Sequence, residues 1–160
     1  MAPSDPPQGF EAHDHALCRR SAIAVAETVS AERGVQFTPV RRRVLEILLE
    51  AHAAMGAYDV LERLAAEGLG SKPPVAYRAL NFLTEQGFAH RIERLNAFVA
   101  CAHPGAAHDP AFLICRGCGA VAEAEGAAPM AAPALAAGFV IEQTVLEAEG
   151  LCPGCQAPAS

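Results

Sequence analysis

Two Cys-x-x-Cys pairs, Cys115/Cys118 and Cys152/Cys155, constrain this chain more than any other feature of it. Two such turns folded against each other put four thiolates at tetrahedral corners, the soft, closed donor set of a structural zinc site. Each pair sits in glycine-containing sequence, CRGCG and CPGC, which lets backbone amides approach the sulfurs. The 33 residues between the pairs exceed the roughly 15–20 of a compact ribbon, so a helix and a strand must be inserted there. A redox dithiol and incidental cysteine pairs are the competing readings. The doubling of the motif, away from any thioredoxin-like strand–helix context, favours metal. Six cysteines without a basic-then-apolar leader suit a reducing compartment. No apolar run approaches the ~20 residues of a membrane span. The expectation is a cytoplasmic, soluble protein with no membrane partner.

The chain has 160 residues, 52% of them hydrophobic and 19% charged, enough for one ordinary packed domain or two small ones. A large multi-domain enzyme and wholesale disorder are both excluded. Residues 1–14, with three prolines in the first seven positions, read as a tail. Apolar spacing predicts helices over about Leu17–Glu32 and from Pro39, where Thr38 caps and Pro39 takes the first helical position. Further helices are predicted over Ala57–Glu67 and through KPPVAYRALNFLTEQG. Arg41, Arg42 and Arg43 crowd the first turn of the second helix, with at least two of them expected to face solvent. The segment FAHRIERLNAFVAC reads as a hairpin turning near Arg94–Asn96. Three helices, a turn, a helix and a hairpin make a winged helix-turn-helix, whose last helix enters the DNA major groove. Beyond Cys101 the chain alternates strand, strand, a small-residue helix interrupted at Pro133, and a strand through FVIEQTVLEAEG. The fold class expected is therefore α+β: a winged-helix domain over 15–101, a hinge over 102–110, and an α/β domain over 111–160.

A net charge of −6 argues at first against nucleic acid, whose binders draw affinity from phosphate neutralisation. The charge is unevenly placed, however. Residues 1–98 hold 11 Lys and Arg against 12 Asp and Glu, and residues 99–160 hold 1 against 6, so the second stretch carries −5 of the −6. The basic residues cluster where a winged helix meets phosphates, at Arg41 to Arg43, Lys72, Arg78, Arg91 and Arg94. On the fourth helix Tyr77, Arg78 and Asn81 lie opposite the apolar stripe. Arg78 there suits a base edge or phosphate, and Tyr77 a phosphate or thymine methyl.

A looser group consists of His90 on the first wing strand, Cys101 closing the second, His108 in the hinge and Glu123 after the first cysteine pair. Together they would form a mixed nitrogen, sulfur and oxygen site; singly each has an ordinary reading as a surface, core or solvated residue. His103 is a further candidate ligand. His13, His15 and Cys18 offer another metal-binding spacing near the start of the chain.

The segments TPVRRRVLEILLE, AYDVLERL, KPPVAYRALNFLTEQGFAHRIE, FLICRGCGAVAE and LCPGC, in this order, resemble the ferric uptake regulator family of metal-sensing repressors, and within it the zinc-sensing branch. The resemblance runs from about Leu17 to Cys155. It implies a winged-helix domain, a C-terminal dimerisation domain, a homodimer, and double-stranded operator DNA as partner, with no small-molecule substrate and no catalytic residues. It implies two zinc ions per subunit: one structural, on Cys115, Cys118, Cys152 and Cys155, and one regulatory, on His90, Cys101, His108 and Glu123. Lys72, Tyr77, Arg78, Asn81 and Arg41 are the expected DNA contacts. The function implied is zinc-responsive repression of zinc-uptake genes. Iron- or peroxide-sensing relatives are the nearer alternatives, and a zinc-dependent enzyme or a protein-interaction module the more distant ones. The thiolate at Cys101 and the absence of a close run of histidines before Cys115 favour zinc.

Overall fold

The computed structural model describes residue 10 and residues 15–51, 53–106, 108–126 and 129–157. Four helices come first, α1 (His15–Arg33), α2 (Pro39–Glu50), α3 (Ala57–Ala66) and α4 (Pro73–Glu85). Their limits follow local chemistry. Thr38 Oγ1 accepts the Arg41 N–H at 3.3 Å and caps α2, and the Gly56 N–H donates to Asp59 Oδ2 at 3.2 Å at the start of α3. Prolines open α2 and α4, where helical donors have no partner. Buried Ile23, Ala26, Val44, Leu45, Leu48, Val60, Leu64, Ala76, Leu80 and Leu83 place one stripe of each helix in a shared core. Phe88 closes this core, edge-on to Phe37 at 6.3 Å.

The wing follows as an antiparallel pair, β1 (Ala89–Ile92) and β2 (Ala97–Ala100), joined by a 3-10 turn over Glu93–Leu95 and by Asn96 in the left-handed region at φ 46°. The link between α2 and α3 adds to both halves of the molecule. Met55 exchanges backbone hydrogen bonds with Phe98 at 2.8 and 2.9 Å, and Ala53 pairs with Ala120.

The second half is a three-stranded sheet in the order β4-β3-β5. β3 (Pro110–Cys115) runs antiparallel to β4 (Val121–Glu125) and parallel to β5 (Leu146–Gly150), with the short helix α5 (Ala131–Ala136) between β4 and β5. Ile92 and Val99 of the wing, Ala54, and Phe112, Ile114 and Val121 of the sheet form a second apolar cluster joining wing to sheet. No helix among the described residues is long and apolar enough to cross a membrane.

Three local expectations are corrected. Pro133 does not interrupt α5; it sits in the first turn, where its missing N–H costs nothing. The final strand begins at Leu146 rather than Phe139, because residues 139–145 find no strand partner and lie exposed. Of the three arginines opening α2 only Arg42 is exposed. Arg43 is drawn inward to Glu46, Glu50 and Glu67.

Candidate metal centres and nucleic-acid interface

Cys115 ends β3, Cys118 follows in the turn to β4, and Cys152 and Cys155 flank a 3-10 turn after β5. The parallel pairing of β3 with β5 brings the two turns together, and all four Sγ atoms lie within 4.8 Å of one another. Cys118 and Cys152 Sγ are 3.8 Å apart. The Cys152 N–H donates to Cys115 Sγ at 3.3 Å; this bond and those from the Cys118 and Gly117 amides bring the Cys115 thiol down to about 6. Hydrogen bonding with the neighbouring thiols, Cys152 first, pushes Cys155 up to about 12. The Cys115 thiolate is stabilised by amides while Cys155 holds its proton, as expected where several thiolates cannot ionise together without a cation between them. The turn is tight: a Cβ at Gly117 would stand 3.1 Å from Cys155 Sγ.

The second cluster joins four separate pieces of chain. His90 on β1, Cys101 just past β2, His108 in the connection to the sheet and Glu123 on β4 each place one donor atom within 4.8 Å of all the others. Glu123 Oε1 lies 2.7 Å from His108 Nε2 and 3.4 Å from His90 Nε2. Cys101 Sγ lies 3.5 Å from His108 Nε2 and 3.9 Å from Glu123 Oε1. The geometry has the marks of a ligand set. His90 Nε2 is buried and makes no hydrogen bond among the described residues. His108 ties Nδ1 to the Ala106 carbonyl at 2.8 Å, which aims Nε2 at the cluster. The Ala102 N–H donates to Glu123 Oε2 at 2.8 Å, leaving Oε1 turned inward.

Burial works to raise the Glu123 carboxyl, but His90, the Ala102 amide and His108 outweigh it and hold it below the ordinary carboxylate range. Burial lowers His108, and the Ala106 carbonyl and Glu123 more than reverse that. The Cys101 thiol is pushed up to about 12 by burial and by the Glu123 charge. A buried carboxylate, a protonated thiol and two imidazoles around one point form a donor set that could hold a metal ion in exchange for protons.

Groups absent from the sequence reading hold these donors in place. The His90 ring packs on Phe112 at 5.4 Å. The backbone carrying Ala102 to Ala106 is seated against α1 at Gly105, at φ +81°, where a Cβ would stand 3.1 Å from Val29 Cγ2. Backbone amides and an apolar contact leave no pattern in a sequence; the glycine was the only available signal. His103 lies outside the group of four: its N–H donates to Cys101 Sγ at 3.3 Å, and its ring meets His108 edge-on at 5.9 Å. His13 lies outside the described residues; His15 opens α1 and Cys18 is exposed on it.

On α4, Tyr77, Arg78 and Asn81 are exposed on the face opposite the buried Ala76, Ala79, Leu80 and Leu83, and exposed Lys72 caps the helix. Arg41 sits differently, with its guanidinium 3.8 Å over the Phe82 ring. Arg91 bonds Asn96 at 2.8 Å, and Arg94 bonds Glu149 at 3.0 Å. The basic patch read from the sequence is thus largely internally paired; among the described residues, Lys72 and Arg78 are the members of that patch whose side chains make no hydrogen bond or ion pair.

A winged helix-turn-helix docked on a small mixed sheet, with one cluster of metal-binding side chains in the sheet and another across the junction, defines a class of metal-binding winged-helix proteins. Residues 32–146 match the model of the ferric uptake regulator family. The chain belongs to that family. It is 42% identical over 137 residues to the zinc uptake regulation protein of Escherichia coli (strain K12), covering 83% of this chain and 80% of that one. It is similar to a zinc uptake regulator solved in complex with zinc and DNA, at 40% identity and a TM-score of 0.80 over 86% of this chain and 94% of the other. It is similar also to XcZur, at 39% identity and a TM-score of 0.76 for the holo form over 84% and 96% of the two chains. The apo form of XcZur, at 40% identity over 88% and 99%, gives a TM-score of only 0.50.

Proposed function

We propose that this chain is a zinc-responsive transcriptional repressor that binds operator DNA as a homodimer when zinc-loaded and controls zinc-uptake genes. The observation that carries the reading is the convergence of His90, Cys101, His108 and Glu123, four residues supplied by the wing, the connection and the sheet. We read residues 15–101 as the DNA-binding domain, 102–110 as the hinge and 111–160 as the dimerisation domain. The similarity to zinc uptake regulators at 39–42% identity supports zinc as the metal, as does a donor set that mixes thiolate and imidazole.

Two ions per subunit fit the two clusters. Four thiolates at about 2.3 Å from a tetrahedral ion stand about 3.8 Å apart, and the Cys118–Cys152 separation is 3.8 Å. Cys115, Cys118, Cys152 and Cys155 would hold the structural ion. In the second cluster Glu123, a Cys101 thiolate and the imidazoles of His90 and His108 would hold zinc, which would supply the positive charge that neutralises the two anions. His90 and Cys101 bring the wing, Glu123 the sheet and His108 the connection, so joint ligation fixes wing against sheet. That restriction holds Lys72, Tyr77, Arg78 and Asn81 of α4 in one orientation for a major groove, with Arg41 adding charge from its place over Phe82. A metal shifts such an equilibrium only by its preference for one state, and a site spanning two units has that preference built in. The better agreement with holo than with apo XcZur supports this arrangement as the metal-bound one.

Dimerisation rests on the segment between β4 and β5 and on the sheet edge. Leu135, Phe139, Val140 and Val145 are exposed, and β5 is an edge strand among the described residues, an apolar surface that a monomer would leave wet. The test is fluorescence anisotropy on promoter DNA with and without zinc, alongside metal content. Zinc-dependent binding, one ion retained and one removed by a chelator together with DNA binding, is the expected result; DNA binding indifferent to zinc would refute it.

A further inference from the structure

We infer that Glu147 is a positioning residue for operator binding: it latches the wing to the sheet without metal and thereby sets the zinc level at which the protein closes. The inference rests on the zinc-dependent reading above. The register of the sheet places Glu123, Phe112 and Glu147 in one row across β4, β3 and β5, with Val121, Ile114 and Glu149 in the next. These rows face the wing, since Phe112, Ile114 and Val121 pack with Ile92 and Val99. Glu123, at one end of its row, belongs to the metal cluster. Glu147, at the other end, holds the tip of the wing. Its Oε1 accepts the Glu93 N–H at 2.6 Å and its Oε2 the Arg94 N–H at 3.0 Å. Those amides open a 3-10 turn and have no acceptor within it. The Arg94 guanidinium then bonds both oxygens of Glu149, at 3.0 and 3.3 Å. The wing is therefore tied at both edges of the sheet, by donors that need a metal on one side and by a carboxylate that needs none on the other.

Two ties acting on one closure divide the work. Zinc binds the closed arrangement, so its apparent affinity scales with the closed fraction of the metal-free protein. Removing two charge-assisted hydrogen bonds lowers that fraction by about tenfold. Once zinc saturates the site, closure is complete with or without the latch. Loss of Glu147 should thus move the zinc midpoint and leave the final operator affinity unchanged.

The experiment uses the full chain and its Glu147→Ala and Glu147→Gln variants, with operator binding titrated against buffered zinc and amide hydrogen exchange read at Glu93 and Arg94 after chelation of the removable ion. Glu147→Ala should raise the zinc midpoint about tenfold, Glu147→Gln less because one acceptor remains, and both should speed exchange of the two amides. An unchanged midpoint, unchanged exchange, or a fall in operator affinity at saturating zinc each overturns the inference. If the alanine variant melts before it can be titrated, the glutamine variant decides by the same criteria. A wild-type protein without zinc-dependent DNA binding would overturn the functional reading and with it the set-point role, while the exchange comparison would still show separately whether the latch exists.

Discussion

His108 and Glu123 meet at 2.7 Å between Nε2 and Oε1, and each has its remaining polar atom tied to backbone, His108 to the Ala106 carbonyl and Glu123 to the Ala102 amide. Both tying groups belong to the short connection between wing and sheet. The connection therefore orients both its own ligand, His108, and the sheet's Glu123, and its path is part of the site.

Replacing Glu123 by Gln keeps the shape and the Ala102 hydrogen bond but removes the charge that a divalent ion needs. Zinc affinity at this cluster should fall by at least about a hundredfold, beyond what loss of a supporting contact causes. The tetrathiolate should keep its metal. Competition titration with a chromophoric chelator measures both, and an unchanged weaker-site affinity would remove Glu123 from the ligand set.

Arg78 is exposed on α4 and belongs to neither cluster. Arg78→Ala should cost about 1–3 kcal/mol of operator affinity and relax sequence preference at one base position, with zinc binding unaltered. Lys72→Ala should weaken specific and non-specific DNA alike and reduce the salt slope by about one. Anisotropy at several salt concentrations distinguishes the two.

Cys152 both faces Cys118 and donates its amide to Cys115. Cys152→Ser should release the tightly held metal, unravel the pairing of β5 with β3 and lose the dimer, because binding energy at such sites is folding energy. Size-exclusion chromatography and metal analysis test this; a dimeric, ordered variant without metal would contradict it.

Arg43 bonds Glu46, Glu50 and Glu67, and its own pKa is raised by them, Glu67 foremost. Burial works to raise Glu50, but Arg43 and Arg63 bring it below its ordinary 4.5; Glu67 is lowered by its bond to Arg43. A depressed carboxyl stabilises the fold above its unfolded pKa and loses that contribution as pH falls through the folded value. Arg43→Gln should lower the melting temperature at pH 7 by removing all three ion pairs at once. The gap in melting temperature between it and the parent should narrow steadily below pH 4.5. A gap constant from pH 6 to pH 3 would exclude the ion network as its cause.

The helices α1 to α4 were legible because their signals are local: apolar spacing, Thr38–Pro39, and the glycines Gly34 and Gly87 just past the ends of α1 and α4, both at positive φ. The pairing of two Cys-x-x-Cys turns was equally plain. The convergence of His90, Cys101, His108 and Glu123 was not, since spacing alone left each an ordinary residue and only the family resemblance grouped them. Arg94 looked like a free cation because Glu149 lies 55 positions away, and Arg43 because Glu67, the foremost of its three carboxylates, lies 24 away. The latch at Glu147 depends on the parallel register of β3 and β5, which no alternation of side chains announces. Residues 139–145 have the composition of a strand and lack a neighbour to pair with.

β3 is the middle strand of its sheet, yet one of its two neighbours and half of the thiols that enclose its end arrive only after residue 145. During synthesis the four helices have all their partners early and can settle while the ribosome is still working. The sheet has to wait, with Cys115 and Cys118 reduced and unshared, until β5 and the second cysteine turn emerge. For an interval set by translation the nascent chain therefore exposes two unprotected thiols and an unpaired strand edge, which places its greatest risk of oxidation or misassociation before the four thiols can close on an ion.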